Sequence, residues 1–233
     1  MRLDRFLSEC GFGTRKDVKK LIKSGAVKVE EVDSLSPETH IDPVAAVVFV
    51  NGQRAKYREF IYLMMNKPNG YVSATWDKKL PTVIDLLPEE YLHFEPFPVG
   101  RLDIDTEGLL LLTNDGDLAH NLLSPKKHVP KTYIAKVQNP VTDSDIEVFS
   151  EGLDLGDFKT LPARLEMVGE FAKVTICEGK FHQVKRMFEA VGNKVLYLKR
   201  VKMKNLQLDE SLKTGEVREL TEAELQDLKE SLK

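Results

Sequence analysis

The chain has 233 residues, of which 42% are hydrophobic and 30% are charged, and its formal net charge is −3. These values are ordinary for a globular protein and exclude a collagen-like, low-complexity or strongly basic polypeptide. The length suits one large domain, or a small domain followed by a medium one. No run of eighteen apolar residues occurs, so we expect no membrane-spanning helix.

The two cysteines, Cys10 and Cys177, lie far apart in the sequence and form no metal-binding or redox motif. The five histidines show no spacing typical of metal ligands. The first ten residues interleave charged and apolar side chains and lack the apolar core of a signal peptide. We therefore expect a cytoplasmic protein, without a bound metal and without membrane association.

Positive charge is concentrated in two segments of the chain. Residues 1–28 carry eight Lys or Arg against three acids (+5), and residues 178–204 carry eight against two (+6). Basic stripes on a nearly neutral body are typical of surfaces that contact phosphate groups. The distribution favours a nucleic-acid partner, and the alternative is a lysine-rich face that only contacts water.

The N-terminal segment has the pattern of a small helical and stranded module. Apolar residues at helical spacing predict a helix over Leu3–Cys10. Thr14 is typical of the N-cap of a second helix. A strand is predicted at Val47–Val50, and Asn51-Gly52 after it predicts a hairpin turn. A polar linker follows near Ala55–Glu59.

Beyond the linker, strands and helices are mixed along the chain. Strands are predicted at Ile61–Met65, Tyr71–Thr75, Leu109–Leu112, Lys131–Val137, Leu161–Met167, Phe171–Cys177 and Val195–Met203. Helices are predicted at Thr82–Leu87, Asp117–Leu123, Thr142–Phe149, within Glu178–Gly192 and at Thr221–Leu228.

The stretch from Gly100 to Leu118, GRLDIDTEGLLLLTNDGDL, holds the strongest candidates for chemistry. Asp103 and Asp105 lie on a polar loop that leads directly into the uniformly apolar run Leu109–Leu112, which suits a strand buried on both faces. A polar loop held by a rigid strand is a usual place for catalytic groups. The alternatives are that these acids form turns, or that they bind a hard metal ion.

Four strings in this sequence resemble one family, the RsuA/RluB-type ribosomal RNA pseudouridine synthases. They are YLMMNKPNGYVSA from residue 62, GRLDIDTEGLLLLTNDG from residue 100, KTY from residue 131 and EGKFHQVKRMFEAVG from residue 178. The N-terminal RLDRFLSECGFGTRKDVKKLIKSGAVKV resembles an S4 RNA-binding domain. That match departs at Val29–Glu31, where Val-Glu-Glu replaces the common Val-Asn-Gly.

The resemblance implies an α+β protein with an S4 RNA-binding domain over residues 1–57 and a mixed-sheet catalytic domain over residues 60–233. It implies that Asp103 is the catalytic carboxylate, that Tyr133 stacks on the target base and that Lys185 pairs with Asp103. In the same string, Lys67 with Pro68 helps to shape the site. Pseudouridine formation is an isomerisation, so no cofactor and no metal are expected.

Further residues are expected to support the site or to bind RNA. Arg101 is placed to contact a phosphate or an acid, Asp105 and Thr106 to hold the loop by local hydrogen bonds, and Leu198 to pack against the site. Arg186 is the neighbour most easily confused with Lys185. The residues expected to bind RNA are Arg2, Arg5, Arg15, Lys16, Lys19, Lys20 and Lys23.

The resulting hypothesis is a monomeric enzyme that converts one uridine of ribosomal RNA, or of a ribosome assembly intermediate, to pseudouridine. The short N-terminal module, Ser124-Pro125 and the string FHQVKRM favour the small-subunit (16S) enzyme over a large-subunit (23S) one. Two other classes remain as alternatives. One is a non-catalytic S4-type RNA-binding or assembly factor, and the other is a metal-dependent hydrolase that uses Asp103 and Asp105.

Overall fold

The structure is a computed structural model that describes residues 1–230. The chain divides into two compact units. The first comprises Met1–Ile61 together with Pro88–Glu95, and the second comprises Tyr62–Leu87 and the residues from Pro96 onward. The assignment of Pro88–Glu95 to the first unit was not predicted from the sequence. Within the described residues, no helix is both long and apolar enough to cross a membrane.

The first unit contains short helices and a three-stranded antiparallel sheet of order β1-β2-β3. Its elements are α1 (Leu3–Glu9), α2 (Arg15–Lys23), β1 (Val27–Val29), β2 (Val48–Val50), β3 (Gln53–Ala55) and α3 (Glu89–Leu92). Thr14 is the N-cap of α2, as predicted, and its side chain accepts a hydrogen bond from the Asp17 N–H. Asn51 and Gly52 have φ values of 50° and 81°, so the predicted hairpin turn is confirmed.

Apolar side chains from α1, α2 and the sheet form the core of this unit. Leu3, Phe6 and Leu7 of α1 and Val18 and Ile22 of α2 are buried in it. Because Val18 and Ile22 occupy the buried face of α2, the basic residues of this helix lie on its opposite, exposed face. The packing therefore presents a positively charged helix surface.

The second unit is a mixed sheet flanked by helices. Its strands are β4 (Tyr62–Lys67), β5 (Phe97–Pro98), β6 (Glu107–Thr113), β7 (Lys131–Val137), β8 (Arg164–Val168), β9 (Phe171–Ile176), β10 (Val195–Met203), β11 (Leu206–Gln207) and β12 (Val217–Glu219). Its helices are α4 (Gly116–Leu123), α5 (Asp143–Glu151), α6 (Gln183–Ala190) and α7 (Glu222–Glu230), with 3₁₀ turns at Val83–Leu86 and Pro125–Lys127.

Strand β6 lies inside this sheet, whose order is β12-β4-β6-β10-β7-β9-β8. It pairs antiparallel with β4 and parallel with β10. Leu109 to Leu112 are at most 1% exposed, so the predicted strand buried on both faces is confirmed. The helices and the mixed sheet together confirm the predicted α+β class. The loop that carries the two acids runs directly into the most buried strand of the unit.

Gly108 is required where β6 meets β10. Its φ is +99°, and a Cβ at this position would lie 2.2 Å from the carbonyl oxygen of Arg200. Any side chain would therefore force the two strands apart. The close approach fixes the start of β6 against β10. The loop that carries Asp103 and Asp105 ends at this point.

Two details differ from the sequence prediction. The strand predicted at Tyr71–Thr75 is wrong: only an isolated bridge joins Val72 to Thr82. In this segment the side chain of Ser73, rather than a neighbouring strand, pairs with the backbone of Leu102. The strand predicted at Leu161–Met167 begins only at Arg164. The helix predicted within Glu178–Gly192 is confirmed as α6.

Candidate active site

Lys67, at the end of β4, binds the backbone of residues 101–106, which are here called the acid loop. The Lys67 Nζ donates to the carbonyl oxygens of Pro68 at 2.9 Å, Asp103 and Ile104 at 3.2 Å each, and Thr106 at 3.0 Å. Lys67 is 0% exposed, and burial lowers its pKa to about 8, against the opposing attraction of the nearby acids. One buried cation therefore binds three carbonyl oxygens of the loop and that of Pro68.

Ser73 holds the same loop from a second side. Its hydroxyl donates to the carbonyl of Leu102 at 3.0 Å and accepts from the Leu102 N–H at 3.1 Å. A turn closes the loop where the Thr106 N–H donates to the Asp103 carbonyl at 3.1 Å. The loop is thus shaped mainly by Lys67 and Ser73, and both side-chain carboxylates are left available.

Lys185, on α6, contacts both carboxylates of the acid loop. Its Nζ lies 3.3 Å from Asp103 Oδ2 and 2.6 Å from Asp105 Oδ1. Partial burial acts to raise the pKa of Asp105, but the hydrogen bond and positive charge of Lys185 outweigh it, so the pKa is lowered. Asp105 therefore bonds to Lys185 through its side chain.

Arg186, the neighbour of Lys185, points to a different acid. Its guanidinium pairs with Asp157 and donates to the carbonyl oxygen of Leu155 at 3.0 Å. It also lies over the ring of Phe158. Of the two adjacent cations, the structure places Lys185 against Asp103, while Arg186 ties the loop before β8 to α6.

His182 is a member of the site that sequence reasoning missed. Its Nε2 lies 3.7 Å from Asp103 Oδ1, and its ring stacks on Phe181 with 3.8 Å between the ring centres. It stands at the N-cap of α6 with a left-handed backbone, φ 49°. The only signal in the sequence was its place in the string FHQVKRM, two residues before Val184.

The acid loop borders a cavity of about 410 Å³ in the second unit. Arg101 and Asp103 line one side of it, and Tyr133 and Leu198 line another. Tyr133 is 7% exposed, so its ring serves as cavity wall and as sheet core at once. The volume falls in the range of small-ligand sites, and a carboxylate, a cation and a flat apolar wall converge on it.

Two buried cations at the sheet side of this cavity were not singled out from the sequence. Arg200 of β10 is 2% exposed, and Lys131 of β7 is 9% exposed. Burial, aided by the charge of Arg200, lowers the pKa of Lys131 to about 8. The basic segment 178–204 is therefore only partly a surface stripe, since Arg200 lies inside the protein.

The two carboxylates of the acid loop are paired with a protein cation. Among residues 1–230, no group of three or more His, Cys, Asp or Glu side chains is arranged to hold a metal ion. Asp103 and Asp105 instead share the ammonium group of Lys185. A pair of acids already bridged by a side-chain cation suits carboxylate chemistry better than metal binding.

The contact between Lys185 and Asp105 predicts a measurable change in acidity. In Lys185→Met, partial burial persists while the opposing charge is gone, so the pKa of Asp105 should rise. Carboxyl-carbon NMR titration measures this directly. Arg186→Met is the matched control and should leave Asp105 unchanged, because Arg186 binds Asp157. An unaltered Asp105 titration in Lys185→Met would contradict the assigned contact.

Known proteins with a similar sequence and fold agree on one family. Residues 61–190 match the family model described as RNA pseudouridylate synthase. An uncharacterized RNA pseudouridine synthase of Bacillus subtilis is 52% identical, with 99% of each chain covered. Ribosomal small subunit pseudouridine synthase A of Vibrio cholerae is 42% identical over 97% of this chain and 98% of its own length.

A solved structure extends the likeness from sequence to fold. The crystal structure of a pseudouridylate synthase matches with a TM-score of 0.69 and 38% identity, over 98% of this chain and 99% of the other. The matched family segment contains the acid loop, Tyr133 and Lys185. The chain therefore belongs to the RNA pseudouridylate synthase family.

Proposed function

We propose that this protein converts a uridine of ribosomal RNA to pseudouridine and that Asp103 is the catalytic carboxylate. The observation that carries the proposal is the placement of Asp103. Its side chain stands on a loop fixed by a buried lysine, borders the cavity and pairs with Lys185. The same cavity is walled by Tyr133.

The reaction sets the requirements that these residues meet. The bond between ribose C1′ and uracil N1 breaks, the base turns within the site, and C1′ joins C5. The hydrogen of C5 is lost to the medium while N1 takes up a proton, so the product is an isomer and no cofactor is consumed. The target base must first leave the RNA stack to reach the enzyme.

Asp103 supplies the group that acts on the flipped nucleotide, either at C1′ or at the base. Lys185 holds and aims this carboxylate at 3.3 Å, and Asp105 limits the movement of Lys185 by binding it at 2.6 Å. Tyr133 offers a flat ring on which a uracil can stack, with Leu198 beside it. Asp105 therefore acts through Lys185, whereas Asp103 touches the substrate.

The proposed substrate is 16S ribosomal RNA, alone or in an assembly intermediate. Similar proteins, including that of Vibrio cholerae, are named ribosomal small subunit pseudouridine synthase A. The identity extends over 97% of this chain and so includes the N-terminal unit. We place the reaction in the cytoplasm, with one chain as the working unit.

The first unit is proposed to act as an S4-type RNA-binding domain through α2. Five of the basic residues singled out in the sequence are exposed on this helix: Arg15, Lys16, Lys19, Lys20 and Lys23. Arg2 pairs with Asp4 and Glu38, and Arg5 pairs with Glu9. On α2, Lys20 lies 3.9 Å from Asp17. Cations already neutralised by the protein gain less from a phosphate, so α2 should supply most of the attraction.

The decisive test of the catalytic proposal is Asp103→Asn, assayed for pseudouridine on 16S RNA without added metal. The change keeps the size of the side chain, and Lys67 still holds the loop backbone, so RNA binding should remain. Turnover should fall by at least about three orders of magnitude, because the reacting carboxylate is lost. Asp105→Asn is the matched control and should cost no more than about tenfold.

Each alternative predicts a different outcome of that assay. Normal turnover by Asp103→Asn together with loss in Asp105→Asn would show that the wrong acid was named. Pseudouridine formed on 23S but not on 16S RNA would overturn the proposed substrate. No product from the unmodified protein on either RNA would favour a non-catalytic assembly factor.

The proposed RNA contact of α2 predicts a change in salt dependence. Replacing Lys16, Lys19 and Lys23 by Gln should weaken RNA binding and reduce the slope of log affinity against log salt by about 0.7 to 0.9 for each lost phosphate contact. Arg5→Gln should change the slope less, because Arg5 is paired with Glu9. A slope that stays constant in the triple variant would exclude α2 as the phosphate-binding surface.

A further inference from the structure

We propose that Arg200 and Lys131 recognise the carbonyl edge of the flipped uracil and thereby reject cytosine. The inference deepens the proposed function, since it concerns the same cavity and the same reaction. It assigns a specificity role to two buried side chains outside the group of Asp103, Lys185 and Tyr133.

Both cations have hydrogen-bond capacity that the protein does not use. Arg200 Nε donates to the carbonyl oxygen of Leu109 at 2.8 Å, while its Nη2 is buried without a partner among the described residues. Lys131 Nζ donates to the Val129 carbonyl at 3.1 Å, and an ammonium group has two further donors. Buried donors left without acceptors are costly, so a ligand that supplies acceptors is strongly favoured here.

Strand pairing brings these donors beside the aromatic wall. Arg200 and Tyr133 are direct partners across β10 and β7, so their side chains share one face of the sheet. Lys131 lies two residues before Tyr133 and therefore falls on that face as well. All three line the cavity that Asp103 borders. A ring stacked on Tyr133 thus has its edge within the reach of both cations.

The degree of burial indicates which part of the nucleotide contacts Arg200 and Lys131. The side chain of Asp103 is 27% exposed, whereas Arg200 and Lys131 are 2% and 9% exposed. When C1′ is held at Asp103, the base extends inward and the phosphates remain outside with the RNA chain. The deeper cations therefore face the base, and a backbone phosphate is the less suitable partner.

The chemistry of the edge then gives selectivity. Uracil presents the acceptors O2 and O4 on either side of its N3–H, whereas cytosine carries an amino donor in place of O4. Arginine and a protonated lysine offer donors and no acceptor, so a cation placed at O4 of uracil would meet an N–H group of cytosine there. A correct set of such contacts typically discriminates by on the order of 10- to 100-fold against the wrong base.

Binding of free UMP and CMP to the full chain, followed by NMR titration, tests this inference independently of turnover. The unmodified protein should prefer UMP by about tenfold or more. In Lys131→Gln the amide oxygen can accept from the cytosine amino group, so the preference should fall by about tenfold. Lys136→Gln is the matched control, because Lys136 lies on the same strand, is exposed and pairs with Glu170.

The ratio of the two affinities separates recognition from damage to the fold. If Lys131 had only a structural role, Lys131→Gln would weaken the binding of UMP and of CMP by the same factor. The ratio of the two affinities would then stay unchanged, which would overturn the inference. Arg200→Gln provides a second measurement, with the same fall in the ratio expected. Equal binding of UMP and CMP by the unmodified protein would also overturn it.

Ribose 5-phosphate distinguishes the base from the phosphate as the group that is held. The inference fails if ribose 5-phosphate competes with UMP as effectively as unlabelled UMP does, and if Lys131→Gln weakens the binding of ribose 5-phosphate and of UMP by the same factor. In that case the cations bind the phosphate. Pseudouridine formation by the unmodified protein is measured separately. A protein that makes pseudouridine without base discrimination contradicts only this inference, while a protein that discriminates but forms no pseudouridine contradicts only the proposed function.

Discussion

One buried ammonium group organises the site: the Nζ of Lys67, which donates to four carbonyl oxygens around the acid loop. Lys67 is 0% exposed, so its ammonium group must find acceptors within the protein, and these carbonyl oxygens supply them. The contact holds the loop backbone at one point. Because the anchor holds the backbone, the carboxylates of Asp103 and Asp105 remain available for chemistry and for Lys185.

Two sets of cations lie near the cavity, and they differ in their binding partners. At the acid loop, Lys185 binds both carboxylates, so the positive charge there is matched by protein acids. At the sheet, Lys131 and Arg200 bind carbonyl oxygens and form no salt bridge within residues 1–230, and burial lowers the pKa of Lys131 to about 8. In the proposed function the first set positions the reacting carboxylate, and in the further inference the second supplies donors to the base.

Much of this could be predicted from sequence because it rests on local patterns. The buried β6 followed from a uniformly apolar run, α2 from Thr14 and its spacing, and the Asn51-Gly52 turn from its residue types. The parts that sequence missed depend on long-range pairing. Arg200 becomes a cavity residue only when β10 aligns with β7. The string around Lys67 indicated that this residue helps to shape the site, but not that its Nζ binds carbonyl oxygens of the acid loop, some 36 positions along the chain. A basic segment also gives no sign of which of its charges are buried.

The central claim is that Lys67 holds the acid loop in the shape that aims Asp103, and Lys67→Met tests it most directly. Methionine is also unbranched and only one atom shorter, and it removes the donors and the charge of the ammonium group. We predict a folded protein that binds 16S RNA within about twofold of the original but forms pseudouridine on the order of 10²-fold more slowly, as expected for a misplaced reacting group. Turnover at the original rate by the folded Lys67→Met protein would contradict the account.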